Sequence, residues 1–413
     1  MAAAAIPVVE APPAARLEHP LRNPNFRMLL TGGTISLLGD QCYLVALPWL
    51  VLQMTGSAVA MGTILMVEAI PRAILMLMGG ALSDRISPRK IMMMTATART
   101  VCVGAIGVLV WLHILRLWEL YVLSFLFGVA DAFSFPAAQA FVPSLVKREQ
   151  LVAANSVRQS TSQLTTIVGP APAGLAIKAL GIAWAFFLDA ISFLFIIAAL
   201  WRLPDPPAPA VAARKRAVLP LILEGLTYVR KDVPLRSLML LAAVINFCIA
   251  GPVGVGLAYL AKMRFGSPAA YGIVVSAAAA GGLLGSLLSG VWRVRRRGML
   301  MISVPVVIGV CLGMLGWLTH LWMVAAVLLL MGASAGVTNV HIASWIQQRI
   351  EPAVRGRVMS VLMLSVFGLM PVSLAMAGVL VAWSLRWMFV LASVLLLVIA
   401  AVAAVQKPVR QIA

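Results

Sequence analysis

The sequence predicts an all-α integral membrane protein of twelve transmembrane helices, arranged as two pseudo-symmetric six-helix bundles. Three observations predict it. The 413-residue chain is 62% hydrophobic and only 11% charged, with a mean hydropathy of +1.01, whereas a soluble domain carries about 25% charged residues. No soluble fold hides that much apolar surface, because surface falls too slowly with size. Second, apolar runs recur along nearly the whole chain, each about the 20 residues a helix needs to cross lipid. A transmembrane barrel would show short alternating segments instead. Third, the cations fall in short clusters between these runs, where membrane topology uses them. That distribution also argues against a nucleic-acid partner, despite a formal charge of +19.

Residues 1–24, MAAAAIPVVEAPPAARLEHPLRNP, are rich in Ala and Pro and lack both a basic leader and a continuous apolar core. They read as a disordered cytoplasmic tail, not a signal peptide. The N-terminal bundle, 25–201, holds spans at 26–53, 58–83, 90–112, 118–142, 155–178 and 181–201. The longest connection, 202–235, follows. Its LPDPPAPAVAARKR cannot be a helix core, and its LILEGLTYVRKDVPL predicts an amphipathic helix at the membrane surface. The C-terminal bundle, 236–406, holds spans at 236–260, 268–292, 299–318, 321–344, 356–382 and 386–406, before a short tail, 407–413.

Orientation follows from Lys and Arg. Alternate connections hold only Arg116, Lys178, Lys262, Arg264 and Arg386, and Arg72, Arg99 and Arg158 fall inside spans. All other cations lie on the side of the termini, which places both termini in the cytoplasm. The four cysteines, Cys42, Cys102, Cys248 and Cys311, sit singly within apolar segments and read as small buried hydrophobes. Trp111, Trp118, Trp184, Trp201, Trp317 and Trp322 cluster near span ends as interfacial anchors.

The halves repeat. TGSAVAMG (55–62) matches FGSPAAYG (265–272), pairing Gly56, Ser57, Ala60 and Gly62 with Gly266, Ser267, Ala270 and Gly272. GALSDRISPRK (80–90) matches SLLSGVWRVRR (286–296), and Pro170 matches Pro371. The shared order of the matches carries the weight. Repeated halves around a central site are a transporter architecture.

With these motifs in place, the chain resembles the major facilitator superfamily from residue 25 onward. GALSDRISPRK is similar to its loop motif G-x-x-x-D-R-x-G-x-R-K: Gly80, Asp84, Arg85, Arg89 and Lys90 match, and Ser87 replaces the second glycine. VGPAPAG is similar to the antiporter motif G-P-x-x-G-G through Gly169, Pro170 and Gly174, with Ala173 replacing a glycine. LGDQCYLVALP ends like the first-helix antiporter pattern at Pro48. PSLVKREQLVAANSVRQ, FFLDAISF, EGLTYVR and IQQRIEPAVRGRVMS resemble the branch of enterobactin exporters and macrolide efflux proteins. Many proton-coupled members carry an arginine four residues before the glycine that is here Gly128; this chain has Ser124.

Acids within lipid cost at least about 2.5 kcal/mol each on insertion scales, so each asks for a reason. They are Asp40, Glu68, Asp131 and Asp189, all in the first half. Glu68 and Arg72, four apart on one helical face, are expected to neutralise each other. Asp189 reads as structural. Asp40 and Asp131 have no partner on their own helices, which suits them to binding and releasing a proton, and Asp40, with Asp131 or Glu68, is expected to sense protons. His341, in the tenth span, reads as a core histidine.

The turn from Gly80 to Lys90 invites a second expectation. The resemblance places it against the start of the eleventh helix, here EPAVRGRV (351–358). Asp84 would latch onto that helix N-terminus with Arg355 and Arg357, while Arg85, Arg89 and Lys90 hold lipid or nearby acids. Gly169, Pro170 and Gly174 would bend the fifth helix and bring it against its repeat mate, the eleventh.

The expected function is secondary active export of an amphipathic small molecule, siderophore or macrolide-like, across the bacterial inner membrane, driven by protons. The expected partners are the cargo, protons and membrane lipids, with the chain a monomer. No cofactor is expected: no GxxxxGK[ST] or HExxH occurs, which excludes direct ATP coupling by such a loop and argues against an enzyme. A lysolipid flippase, a nutrient importer or a non-transporting sensor are the rival readings.

Overall fold

The computed structural model describes residues 19–83, 86–205, 218–291, 297–350 and 352–405. The predicted tails beyond these limits, and the Pro-rich part of the linker, lie outside the described residues. Everything regular within them is helical. The first four spans are α1 (Pro24–Thr55), α2 (Ala58–Ser83), α3 (Pro88–Trp111) and α4 (Leu117–Phe141). The fifth is broken into α5 (Leu151–Val168) and α6 (Pro170–Leu180), and the sixth is α7 (Ile182–Arg202). The amphipathic stretch forms α8 (Val218–Lys231). The seventh span runs through α9 (Val233–Gly251) and α10 (Leu257–Leu260), with wider π-type turns at Pro252–Gly256 and Ala261–Phe265. Then come α11 (Pro268–Val291), α12 (Arg297–Leu315) and α13 (Leu321–Arg349), a split eleventh span of α14 (Pro352–Phe367) and α15 (Met370–Trp383), and α16 (Leu385–Val405).

Among the described residues, 11 helices are long and apolar enough to cross a membrane. The fifth predicted span is not one of them. It breaks at Gly169, and α5 is rich in Ser, Thr, Asn and Gln. A proline at the first position of α6 removes an amide and cannot sit inside the preceding turn, so the helix restarts there.

The predicted disordered tail runs to residue 24, but order begins earlier. A single turn at Pro20–Arg22 precedes α1. Asn23 caps α1, its Oδ1 accepting from the amides of Asn25 at 2.9 Å and Phe26 at 3.3 Å. Its Nδ2 donates to the Leu145 carbonyl at 2.6 Å, tying the start of α1 to the connection after α4. At its other end α1 stops at Gly56, whose φ of 63° is the left-handed cap that glycine adopts freely. Pro48, Pro71, Pro136 and Pro305 lie inside helices, where neighbouring helices can satisfy the backbone.

In the first bundle α1 and α3 flank α7, and α4 packs on α2 and α3. The second repeats the plan with α11 on α13 and α12 on α16. The core is large and apolar, including Phe26, Phe141, Phe186, Phe193 and Phe389, all fully buried. Cys102, Cys248 and Cys311 are buried within it, and no cysteine is bridged among the described residues. Trp201 and Trp322 lie exposed at helix ends. A satellite core beneath holds Val229 of α8 with Leu235, Leu238, Trp345 and Val358, so α8 is docked on α9 and α14.

Contacts between the bundles concentrate at the end remote from the described termini, through α2 on α15 and α6 on α11. There helix backbones touch. A Cβ on Gly62 would come 2.6 Å from the Leu374 carbonyl oxygen, and one on Gly174 would meet Pro268 and Ala269. Gly378 and Gly272 answer from the other helices, against Ala58 and Pro170. Small residues allow this approach in a medium that offers no hydrophobic drive between helices.

Candidate functional site

Three helices of the first bundle, α1, α4 and α7, converge on one arginine of a fourth, α3. Arg99, in the middle of α3, is buried, with only 9% of its side chain exposed. Its Nη2 donates to Asp40 Oδ1 on α1, and its Nη1 lies 3.7 Å from Asp131 Oδ1 on α4. Asp131 Oδ2 takes Arg72 Nη2 of α2 at 2.5 Å. The four groups form an unbroken chain, Asp40–Arg99–Asp131–Arg72, crossing α1, α3, α4 and α2. Arg72 is its most exposed member, at 45%.

Aromatic faces hold the hub in place. The Arg99 guanidinium stands 4.3 Å from the Phe193 ring centroid and 4.9 Å from that of Phe127. Both faces attract a cation, and more so away from water. Phe127 stacks on Tyr43 at 4.3 Å, and the Tyr43 hydroxyl donates to Glu68 Oε2 at 3.3 Å. Asp189, on α7, is fully buried. Ser192 Oγ donates to its backbone carbonyl at 2.7 Å, while its Oδ2 finds no hydrogen-bond donor among the described residues.

Close helix approach sets this geometry. Gly128 of α4 lies against the backbone of Glu68 on α2, where any Cβ would strike the Glu68 carbonyl. One turn further along each helix stand Asp131 and Arg72. The contact at Gly128 therefore brings Arg72 to Asp131.

The expected Glu68–Arg72 pair is corrected accordingly. Arg72 bonds across to α4 and Glu68 to Tyr43 on α1. Sharing a helical face permits a pair, but both side chains meet closer partners on the neighbouring helices. Asp40 and Asp131, partnerless on their own helices, share one cation from a third. Arg99 was absent from the sequence candidates; the signal for it was an arginine in mid-span, within TARTVC. Ser124 is fully buried beside the Tyr43 hydroxyl. The positive charge beside Phe127 and Asp131 of α4 comes from Arg99 of α3.

The charged turn is described only in part. Asp84 and Arg85, and the side chains of Arg355 and Arg357, lie outside the described residues, as does any contact among them. Gly80 falls in the last turn of α2. Arg89 does not reach outward to lipid. Its Nε donates to the Leu200 carbonyl at 2.6 Å and its Nη2 to that of Trp201 at 3.1 Å, so it caps the C-terminus of α7, where carbonyls attract a cation. Ser87 Oγ donates to Asp205 Oδ1, and Lys90 Nζ sits 3.8 Å from Asp205 Oδ2. The turn thus grips the end of the sixth helix, where the linker begins.

Gly169 and Pro170 break the fifth helix as expected of their chemistry, but the contact partner is corrected. Gly174 of α6 packs on α11, the eighth span, and not on the eleventh. The eleventh, through Gly378 of α15, packs on α2. The pseudo-two-fold relation requires this exchange: α2 and α11 are repeat mates, so each meets the broken helix of the opposite half. His341, on α13, belongs to the second bundle, apart from the cluster.

The family model described as Major Facilitator Superfamily matches residues 29–372 and, again, 239–411. The multidrug efflux pump Tap of Mycolicibacterium fortuitum is 29% identical over 352 residues, covering 82% of this chain and 85% of that protein. The enterobactin exporter EntS of Escherichia coli is 26% identical over 349 residues, 81% of this chain and 80% of that one. In fold, the nucleoside transporter NupG superposes with a TM-score of 0.79 at 10% identity, over 92% of this chain and 99% of NupG. A bacterial homologue of the iron transporter ferroportin, in an inward-facing state, gives 0.70 at 18%, over 92% and 99%. The paired bundles, the sequence motifs and a family match over most of the chain agree: the chain belongs to the Major Facilitator Superfamily.

Proposed function

We propose that this chain is a secondary active exporter that moves an amphipathic small molecule outward in exchange for protons. It sits as a monomer among the lipids of the bacterial inner membrane, with both termini cytoplasmic, and it is not an enzyme. The observation that carries the reading is the chain Asp40–Arg99–Asp131–Arg72 inside the first bundle. A shared cation between two carboxylates is a switch: a proton on either acid weakens its hold on Arg99 and frees one helix to move relative to α3. Glu68, hydrogen-bonded to Tyr43, and Asp189, buried beside the hub, complete the coupling group.

Closure at the end remote from the termini fits a transporter presenting its cleft to the cytoplasm, ready to load cargo. The similarity to an efflux pump and an enterobactin exporter supports export of a drug-like compound or a siderophore. The turn Gly80, Asp84, Arg85, Arg89 and Lys90, with Arg355 and Arg357, acts as the cytoplasmic gate, and Gly169, Pro170 and Gly174 let the fifth helix take part in outer closure.

Proteoliposomes with an imposed pH gradient test the reading, with a macrolide and a catechol siderophore as the two cargo probes. Gradient-driven transport of one of them by the native chain, abolished in Asp40→Asn at equal insertion, is expected. Undiminished gradient-driven transport in that variant refutes proton coupling through this site.

A further inference from the structure

The glycine contacts that close the outer end fit the bundles together but carry no directional bond. Two polar contacts cross the same seam. On α11, Ser276 lies one turn beyond Gly272 and on the same face. Its Oγ accepts the backbone amide of Ala171 at 3.2 Å. That amide belongs to the first turn of α6, where the break at Gly169–Pro170 leaves N–H groups without intrahelical partners. The second bundle therefore caps, in trans, a helix that the first bundle leaves uncapped.

The other contact sits beside the pseudo-axis. Lys262 occupies the final π-type turn of the seventh span, and its Nζ donates to the Leu52 carbonyl in the last turn of α1. In the register that pairs Gly62 with Gly272, Leu52 is the repeat counterpart of Lys262. A cation from one half thus meets the negative end of the matching helix in the other. Arg264, two residues on, behaves differently: it bonds to carbonyls of Leu315, Gly316 and Leu318 within its own bundle. Only Lys262 of this pair spans the seam.

We infer that Lys262 and Ser276 form a releasable polar lock on the outer closure, which must open in every cycle for the cleft to face outward. Glycine packing provides the fit, and the lock biases the equilibrium toward the state closed at this end. The repeat supplies no copy of it: the counterpart of Ser276 in the first half is Met66, and that of Lys262 is Leu52 itself. The bias is thus built by one half against the other.

Distances between spin labels at Ile114 and Thr319, both exposed at the outer end, test the inference. The four native cysteines are replaced beforehand. Lys262→Met is expected to raise the ratio of outer-open to outer-closed molecules about tenfold, and Ser276→Ala about threefold. Lys262→Arg, which keeps a charged donor, is expected to hold the original distribution. An unchanged distribution in both Lys262→Met and Ser276→Ala overturns the lock. So does an equal shift in Lys262→Arg and Lys262→Met, since packing and not the donated bond would then be responsible. The readout is a distance, so it stands or falls independently of cargo and coupling ion.

Discussion

Arg72 reaches past Glu68, one turn earlier on its own helix, to pair with Asp131 on the next helix at 2.5 Å. The pair links the exposed end of the charge cluster to the buried arginine at its centre. Its strength is moderated by exposure, 45% on the arginine side.

A double-mutant cycle separates the two possible partners of Arg72. Arg72→Met combined with Asp131→Asn is expected to show a coupling of about 1 kcal/mol in thermal unfolding. Arg72→Met combined with Glu68→Gln is expected to couple by less than half of that. Equal coupling in both cycles would return Arg72 to the partner on its own helix.

Removing the hub costs more than removing either acid. Arg99→Ala leaves Asp40 and Asp131 facing each other without their shared cation, a loss of about 3–5 kcal/mol for a buried pair stripped of one member. Adding Asp40→Asn to it is expected to restore part of the melting temperature, because one uncompensated charge is gone. A double variant no more stable than Arg99→Ala would show that Arg99 is held by its aromatic neighbours alone.

The seam glycines should respond as symmetric pairs. Gly62→Leu places a side chain where the Leu374 carbonyl and Gly378 already stand, and Gly272→Leu does the same against Pro170 and Ala171. Each is expected to hold the bundles apart at the end remote from the described termini and to reduce transport at least tenfold at normal expression. Transport by either variant at the native rate would mean that the helices need not touch there.

Arg89 acts on the carbonyls that end α7. Arg89→Ala is expected to lower stability by about 1 kcal/mol, with Arg89→Lys in between, since a lysine supplies the charge without the paired geometry. Thermal shift in detergent measures both. A full loss in Arg89→Lys equal to that in Arg89→Ala would assign the effect to geometry alone.

Asp84→Asn addresses the proposed cytoplasmic gate. At unchanged insertion it is expected to slow transport severalfold while leaving cargo binding intact. Unchanged transport would leave the turn with a topological role only.

Much of this molecule was legible in one dimension. Apolar runs of membrane length determined the helical spans, because a backbone in lipid bonds itself only in helices or closed barrels and these runs do not alternate. The ordered matches around Gly62 and Gly272 announced the duplication, and a rare residue type in an apolar run marked Asp40, Glu68, Arg72, Asp131 and Asp189 for attention. Partnership was another matter. Residues four apart share a helical face, so the sequence favours Glu68 with Arg72; the close approach at Gly128 favours Asp131. That approach depends on two helices meeting at a glycine, a relation between distant segments that no local spacing encodes. For the same reason Arg99 became a hub only when α3 was set between α4 and α7, and Gly174 found the eighth helix only when the pseudo-two-fold axis was in place. Composition decided where the chain crosses the membrane; packing decided which charge holds which.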